Sequence, residues 1–301
     1  MAVDLTTLVT EGWREEWRDI DTRPTLDLVR LMNAEDARVP AAVEAAAPAL
    51  AAAIDGIVER LAAGGRLVYV GAGTAGRIGV LDASECGPTF NTAPGQVVGV
   101  IAGGTGAVSE ASESAEDDAA AGAADLAQLA VGAGDAVVAV SASGRTPYAL
   151  GALGHARATG ALTVAVACNP GSPLAAAADH AIEVVVGPEV VSGSTRLKAG
   201  TAQKLVLNTI STVSMVRLGK TFGNLMVDVR ASNEKLRARA QRIVELATGC
   251  TPTEAAEAIS VADGEVRTAI VVLLTGVDVT AARAALARAG GRVRAAVEAR
   301  R

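Results

Sequence analysis

Five short runs of consecutive apolar residues recur along the chain, each about as long as a β-strand. Because they are apolar nearly throughout, they predict strands buried on both faces, as in a parallel sheet. Helical patterns separate them, and such alternation implies right-handed crossovers and a doubly wound sheet. We therefore predict an α/β fold with a five-stranded parallel sheet, formed by RLVYV (66–70), QVVGVIA (96–102), DAVVAVS (135–141), ALTVAVA (161–167) and AIEVVV (181–186).

Helical patterns dominate both ends of the chain. Residues 24–65 predict two helices that end at Gly64-Gly65, and residues 194–219 predict one long helix. From about Thr248 the pattern changes to short helices without strand signals. We expect a main domain over residues 1–247 and a small helical subdomain over residues 248–301, and no internal repeat of solenoid period is visible.

Composition narrows the class of protein. Half of the residues are hydrophobic but only 2% are aromatic, so Ala, Val, Leu and Ile must build the core. A net charge of −6 argues against a nucleic-acid partner, and there is no apolar run of about 18 residues to predict a membrane span. Three widely spaced cysteines indicate reduced thiols in a cytoplasmic protein, and two histidines without a C-x-x-C motif give no reason to expect zinc.

The stretch LVYVGAGTAGRIG (67–79) contains G-x-G-x-x-G between a predicted strand and a predicted helix. That context suits a dinucleotide site, which also needs an acidic residue about 20 positions later, at the end of the second strand. Here the second strand runs into IAGGTG, and Glu110 comes too late. The sequence therefore favours a loop that binds a single phosphate, and we expect neither NAD nor NADP to bind.

A second loop, SASGRTP (141–147), follows the third predicted strand and opens a helix. Open α/β sheets bind ligands at this edge, where helix N-termini present N–H groups and partial positive charge. The hydroxyls of Ser141, Ser143 and Thr146 can surround one phosphate with neutral donors. The alternative is ordinary N-capping of the helix by Ser and Thr, which two such loops on one sheet make less favoured.

The two loops resemble those of the sugar isomerase (SIS) domain, which binds phosphosugars. LDASECGPTF (81–90), ESAEDD (113–118) and residues 196–244 narrow the resemblance to the family of N-acetylmuramic acid 6-phosphate etherases, over nearly the whole chain. The chain departs from the family's usual pattern at Ala75, where Ser is common, in SECGPTFN, and in the N-terminal GWREEW. Thr74 and backbone N–H groups then remain as phosphate donors in the first loop.

The resemblance implies a lyase without metal or cofactor that cleaves the D-lactyl ether of N-acetylmuramic acid 6-phosphate by elimination and hydration, in cell-wall sugar recycling. Glu85 and Glu116 match the family's two catalytic glutamates. Glu116 is the candidate base at carbon 2, and Glu85, in an apolar and turn-rich segment, is the candidate proton donor. From the residues alone, Glu116 would be read as part of a solvated helix face and Glu85 as a helix-terminal surface acid.

Two further contacts come from EVVSGST (189–195), which follows the last strand and therefore reaches the ligand edge. Ser192 and Lys198 are candidate contacts to the sugar or to the lactyl carboxylate. The resemblance also implies a homodimer. Three other classes stay open: a non-catalytic phosphosugar regulator similar to glucokinase regulatory protein, which needs no paired glutamates; a phosphosugar aldose–ketose isomerase; and a dinucleotide enzyme.

Overall fold

The computed structural model describes residues 5–110, 113–228 and 234–300. The chain divides into two units, Met1–Ser84 with Gly95–Ser211 and Glu85–Pro94 with Thr212–Arg301. Across the described ranges, no single helix combines the length and apolar character that crossing a bilayer requires. Two bent helix pairs, Thr25–Ala45 with Ala47–Ala62 and Val266–Thr275 with Val279–Arg288, reach that length and composition only when taken together.

The first unit contains a parallel sheet made by the five predicted strands: β1 (Leu67–Gly71), β2 (Val97–Ile101), β3 (Ala136–Ser141), β4 (Leu162–Ala167) and β5 (His180–Glu183). Their order is β2-β1-β3-β4-β5. Every residue of β1 and β3 is buried, as expected for apolar runs at the centre of a parallel sheet. β5 is shorter than predicted because β4 ends at Ala167, whose carbonyl accepts a hydrogen bond from Val184 N.

The strand order reverses between β1 and β3, since the chain passes from β1 outward to β2 and then returns to β3. Gly71, the last residue of β1, pairs in register with Val140 near the end of β3. A switch point of this kind leaves a crevice at the carboxyl ends of the strands, where open α/β sheets bind ligands. Both predicted phosphate loops leave the sheet there.

Residues 24–65 form three helices, so the prediction of two is wrong. Pro40 and Pro48 each lie in the first turn of a helix, where proline is tolerated, and each therefore marks a new start. Four 3-10 turns between Leu5 and Thr22 precede them and form what we call the N-terminal segment (residues 5–22). The helices that begin in this unit are α1 (Thr25–Asp36), α2 (Val39–Ala45), α3 (Ala47–Ala62), α4 (Gly73–Phe90), α5 (Ala119–Gln128), α6 (Pro147–Ala158), α7 (Pro173–Ala177) and α8 (Lys198–Arg217).

In the second unit a β-hairpin that the sequence had not indicated precedes a set of helices. The elements are β6 (Thr221–Phe222), β7 (Leu225–Met226), α9 (Glu234–Thr248), α10 (Pro252–Val261), α11 (Val266–Thr275), α12 (Val279–Arg288) and α13 (Val293–Glu298). The helices share a core rich in alanine and valine. The boundary of this unit at Thr212 lies well before the predicted boundary at residue 248.

Helices α10 to α13 form two consecutive αα-hairpins with one sequence pattern. A-x-x-A-x-x-x-A-x-G-x-V-R-x-A occurs at residues 255–269 and again 27 residues later, at residues 282–296. The glycine of each copy lies in the turn between the helices with a positive φ, 85° at Gly264 and 79° at Gly291. These two copies are fewer than the three or more that a solenoid requires. Most of the matching residues are alanines, which are common throughout the chain, so the pattern is weak in the sequence.

Candidate functional site

The first loop joins β1 to α4 almost directly, since β1 ends at Gly71 and α4 begins at Gly73. Gly73 has a φ of +53°, and a Cβ at Gly76 would lie 2.5 Å from the carbonyl oxygen of Gly71. These glycines bring the N-terminus of a long helix to the switch point, where its N–H groups and partial positive charge suit a phosphate. Thr74 lies half-buried in the first helical turn, and Ala75 is buried.

In the second loop, three hydroxyls form one connected group. Ser141 Oγ lies 2.9 Å from Thr146 Oγ1 and 3.3 Å from Ser143 Oγ, and it accepts a hydrogen bond from Gly144 N at 3.0 Å. Gly144 has a φ of +65°, and a Cβ there would lie 2.3 Å from Ser172. Thr146 occupies the N-cap position of α6, yet its side chain makes no capping hydrogen bond. The side chain of Thr146 therefore does not act as an ordinary N-cap of α6.

Glu116 lies on a 3-10 turn, Glu113–Asp117, on the chain that follows β2, and its side chain is exposed. Ala115 packs against the apolar core on the α6 side of the sheet. Asp118 ends the turn by capping α5, where its carboxylate accepts from Ala121 N at 2.9 Å. Glu116 therefore lies exposed on a short, anchored turn, in the same unit as the two loops predicted to bind phosphate.

Arg77, one turn into α4, holds the chain that leads to Glu116. Its Nε donates to the carbonyl of Val108 at 3.1 Å, and its Nη2 donates to the carbonyl of Glu110 at 3.0 Å. An arginine next to a glycine-rich phosphate loop would ordinarily be taken as a phosphate ligand. Here it joins the first loop to the segment after β2, which makes it a positioning residue.

Glu85 lies on α4, which continues through Pro88 to Phe90. The expectation that Glu85 lies in a turn-rich segment is therefore wrong, because the helix continues past it. Its side chain is exposed, whereas that of the adjacent Cys86 is buried. Glu85 belongs to the second unit, because the division falls between Ser84 and Glu85.

Lys198 is 1% exposed, and its ammonium forms an ion pair with Glu35 at 2.6 Å. Burial would raise the pKa of Glu35, but the hydrogen bond and charge of Lys198, together with those of Arg38, hold it below its ordinary value. The backbone N–H groups of Lys198 and Ala199 donate to the carboxylate of Glu189, at 3.0 and 2.9 Å. This geometry argues against a direct contact between Lys198 and a sugar, because the ammonium is already paired within the fold.

Ser192 contacts the N-terminal segment, a contact that the sequence did not predict. Ser192 is exposed, and its hydroxyl donates to the carbonyl of Glu11 at 3.0 Å. Asn169, the second residue after β4, accepts from Val9 N at 2.7 Å and donates to the carbonyl of Ala142 at 2.9 Å. A polar residue at the carboxyl end of a strand is a signal that could have identified Asn169.

Two described features bear on the dinucleotide alternative. β2 ends at Ile101 and is followed by Ala102, Gly103 and Gly104, so no acidic residue stands where a ribose would need one. The donors at the second loop are neutral hydroxyls and backbone N–H groups grouped around one point, which suits a single phosphate. The site therefore fits a phosphorylated small molecule.

Comparison with known proteins agrees with this geometry. A model of the SIS domain matches residues 117–212, and a model of the glucokinase regulatory protein N-terminal SIS domain matches residues 49–157. The N-acetylmuramic acid 6-phosphate etherase of Rubrobacter xylanophilus is 67% identical over 264 residues, 88% of each chain. The etherase of Streptomyces coelicolor is 65% identical over 89% of this chain and 86% of its own, and that of Aeromonas hydrophila 53% identical over 90% and 91%.

Proposed function

Since the chain belongs to the family of N-acetylmuramic acid 6-phosphate etherases, we propose that it cleaves the D-lactyl ether of N-acetylmuramic acid 6-phosphate. The products are N-acetylglucosamine 6-phosphate and D-lactate, and the reaction belongs to the recycling of cell-wall sugars. The observation that carries the proposal is the high identity to named etherases along nearly the whole chain. The hydroxyl cluster at the switch point supports the proposal, because its neutral donors suit a phosphate.

The phosphate binds at the switch point, where both loops leave the sheet. The hydroxyls of Ser141, Ser143 and Thr146 donate hydrogen bonds to its oxygens. The N-terminus of α4 adds N–H groups and the positive end of the helix dipole. Thr74 is the side-chain donor of the first loop. Neutral donors allow an acidic protein to hold an anion without a basic patch.

The chemistry is an elimination followed by a hydration. In the open-chain sugar the aldehyde at carbon 1 acidifies the proton on carbon 2, which Glu116 removes as a general base. The bond between carbon 3 and the ether oxygen then breaks, and Glu85 gives a proton to the departing lactate oxygen. Water adds across the resulting double bond, its oxygen to carbon 3 and a proton to carbon 2. The exposed positions of both carboxylates suit exchange of protons with solvent between the steps.

The match to the glucokinase regulatory protein domain concerns the phosphosugar-binding fold, since it covers residues 49–157. A non-catalytic regulator would have no use for Glu85 and Glu116.

We assign the protein to the cytoplasm, in keeping with its reduced thiols. We further assign it a homodimeric state, because α1 exposes the apolar side chains of Leu26 and Val29. Sedimentation would find a stable, active monomer near 30 kDa if that assignment were wrong.

Incubation with N-acetylmuramic acid 6-phosphate, followed by an enzymatic assay of D-lactate, tests the activity. Wild-type protein should release D-lactate and N-acetylglucosamine 6-phosphate in equal amounts, and Glu116→Gln should release neither at a comparable rate. N-acetylglucosamine 6-phosphate as substrate serves as the control without an ether. A protein that binds both phosphosugars and releases no D-lactate would be the regulator instead.

A further inference from the structure

A cavity of about 200 Å³ lies in the first unit between the N-terminal segment and the chain that follows β5. Its walls include Trp13, Arg14 and Arg18 on one side and Glu189 and Ser192 on the other. Since one water occupies about 30 Å³ of liquid, the cavity has room for a small organic acid. Ser192 had been expected to contact the substrate, and the cavity extends from it.

The N-terminal segment connects this cavity to the second phosphate loop. Arg145 of that loop donates to Thr7 Oγ1 at 3.1 Å, and Asn169 links Val9 to the carbonyl of Ala142. Gly12, at the start of the cavity wall, follows Thr7 by five residues. Even if the chain between them were fully extended, Thr7 and Gly12 would lie within about 18 Å of each other. The 3-10 turn at Val9–Glu11 makes that distance shorter.

Two contacts fix the guanidinium of Arg14 in an orientation that suits a carboxylate ligand. Its guanidinium lies over the ring of Trp17, 4.9 Å from the centroid, and Trp17 itself is buried. The partner of Arg14, Glu16 at 3.1 Å, is 60% exposed, and such surface ion pairs contribute little free energy. A ligand carboxylate can therefore replace Glu16, and a planar guanidinium stacked on a ring binds it in a bidentate manner at low entropic cost.

The acidic wall of the cavity does not oppose an anion strongly. Each oxygen of Glu189 accepts a backbone N–H at the N-terminus of α8, at 2.9 and 3.0 Å. Burial raises the pKa of Glu189 despite these hydrogen bonds. Its charge is thus engaged by the helix terminus, while Arg14 and Arg18 are the cationic groups that line the cavity within the described residues.

We propose that this cavity is the subsite for the lactyl group, with Arg14 binding its carboxylate and Trp13 covering its methyl group. Trp13 is 64% exposed at the rim, an arrangement that leaves its ring ready for an apolar contact. The inference rests on the proposed function and gives to Arg14 the role that sequence analysis gave to Lys198. It also explains how the fold distinguishes the ether substrate from N-acetylglucosamine 6-phosphate, which lacks the lactyl carboxylate.

Two ligands that share the phosphosugar and differ in the lactyl group test the subsite. Calorimetric titration uses a Glu116→Gln background, so that the substrate is not consumed. Adding Arg14→Gln should weaken binding of N-acetylmuramic acid 6-phosphate about tenfold to a hundredfold, the usual effect of losing a hydrogen bond to a charged group. Binding of N-acetylglucosamine 6-phosphate should change less than about twofold. Arg242→Gln, an exposed arginine on α9 that pairs with Glu245 at 3.0 Å, is the matched control and should alter neither affinity.

Equal weakening of both ligands by Arg14→Gln, or no weakening of either, would overturn the subsite. Arg14→Lys keeps the charge but loses the planar fork, and should lie between wild type and Arg14→Gln. Thermal melting shows whether each variant is folded. The D-lactate assay on the wild type judges the etherase activity separately, so that the subsite and the activity can fail independently.

Discussion

Removal of either partner of the Glu35–Lys198 ion pair should destabilise the protein, and by unequal amounts. Lys198 Nζ lies 2.6 Å from Glu35 Oε2, and the side chains of Glu35 and Lys198 are 11% and 1% exposed. Glu35 keeps a second cation, Arg38 at 3.2 Å. For the ammonium of Lys198, the further partner within the described residues is the ring of Trp17, 5.8 Å away. The lysine thus depends on the glutamate more than the glutamate depends on the lysine.

The expected costs follow from this asymmetry. An uncompensated buried charge costs about 3–5 kcal/mol, so Glu35→Leu should lower the free energy of unfolding by about that amount. Lys198→Met leaves Glu35 paired with Arg38, and we expect a loss of about 1–3 kcal/mol. The double variant replaces the pair by apolar groups and should be less destabilised than Glu35→Leu alone. Urea unfolding at pH 7 measures all three.

The same pair predicts a pH dependence. Burial opposes ionisation of Glu35, but Lys198 and Arg38 outweigh it and lower its pKa from the ordinary 4.5. Its stabilising contribution is therefore present above pH 4.5 and is lost as the pH falls through the lower, folded value. Lys198→Met should show a shallower loss in that range. Equal costs for the two single variants, or a double variant as unstable as their sum, would refute a coupled pair.

Further predictions concern the phosphate and the chemistry. Ser143→Ala should weaken binding of N-acetylglucosamine 6-phosphate about tenfold to a hundredfold, whereas Ser84→Ala, an exposed serine on α4, should not; unchanged affinity would remove Ser143 from the site. Glu85→Ala and Glu116→Ala should each slow ether cleavage by about 10² to 10⁴, yet in deuterium oxide only Glu85→Ala should still exchange the carbon 2 proton. The reverse exchange result would interchange their roles. Arg77→Ala should lower kcat by about 10² through misplacement of the Glu116 turn while leaving phosphosugar affinity intact, and a loss of affinity instead would make Arg77 a phosphate ligand.

The sheet and the two glycine-containing loops at its carboxyl edge could be predicted because their signals are local. A strand buried on both faces must be apolar along its length, and β1 and β3 are buried throughout. The loop glycines are likewise required by positions that a side chain cannot occupy, as at Gly76 and Gly144. Such constraints act on single residues and can be recognised from short stretches of sequence.

The side-chain partners of the site were not predictable in the same way. Lys198 meets Glu35 across 163 positions of sequence, and Asn169 meets Val9 across 160. No periodicity connects residues so far apart, so an exposed and a paired lysine look alike in the sequence. The N-terminal segment was missed for a related reason, because its short 3-10 turns leave no regular apolar pattern.

The paired αα-hairpins at the end of the chain imply an uneven order of folding. Helices joined by short turns make contacts between near neighbours in sequence, and such structures form in microseconds to milliseconds. The sheet is slower, because β1 must find β3 across the whole of α4, β2 and α5. The hairpins are synthesised after the sheet, and at about 5–20 residues per second the ribosome takes roughly 2–9 seconds to add residues 252–298. The sheet folds slowly but can begin seconds before the fast-folding hairpins are complete. The two parts therefore reach their folded states within a short time of each other.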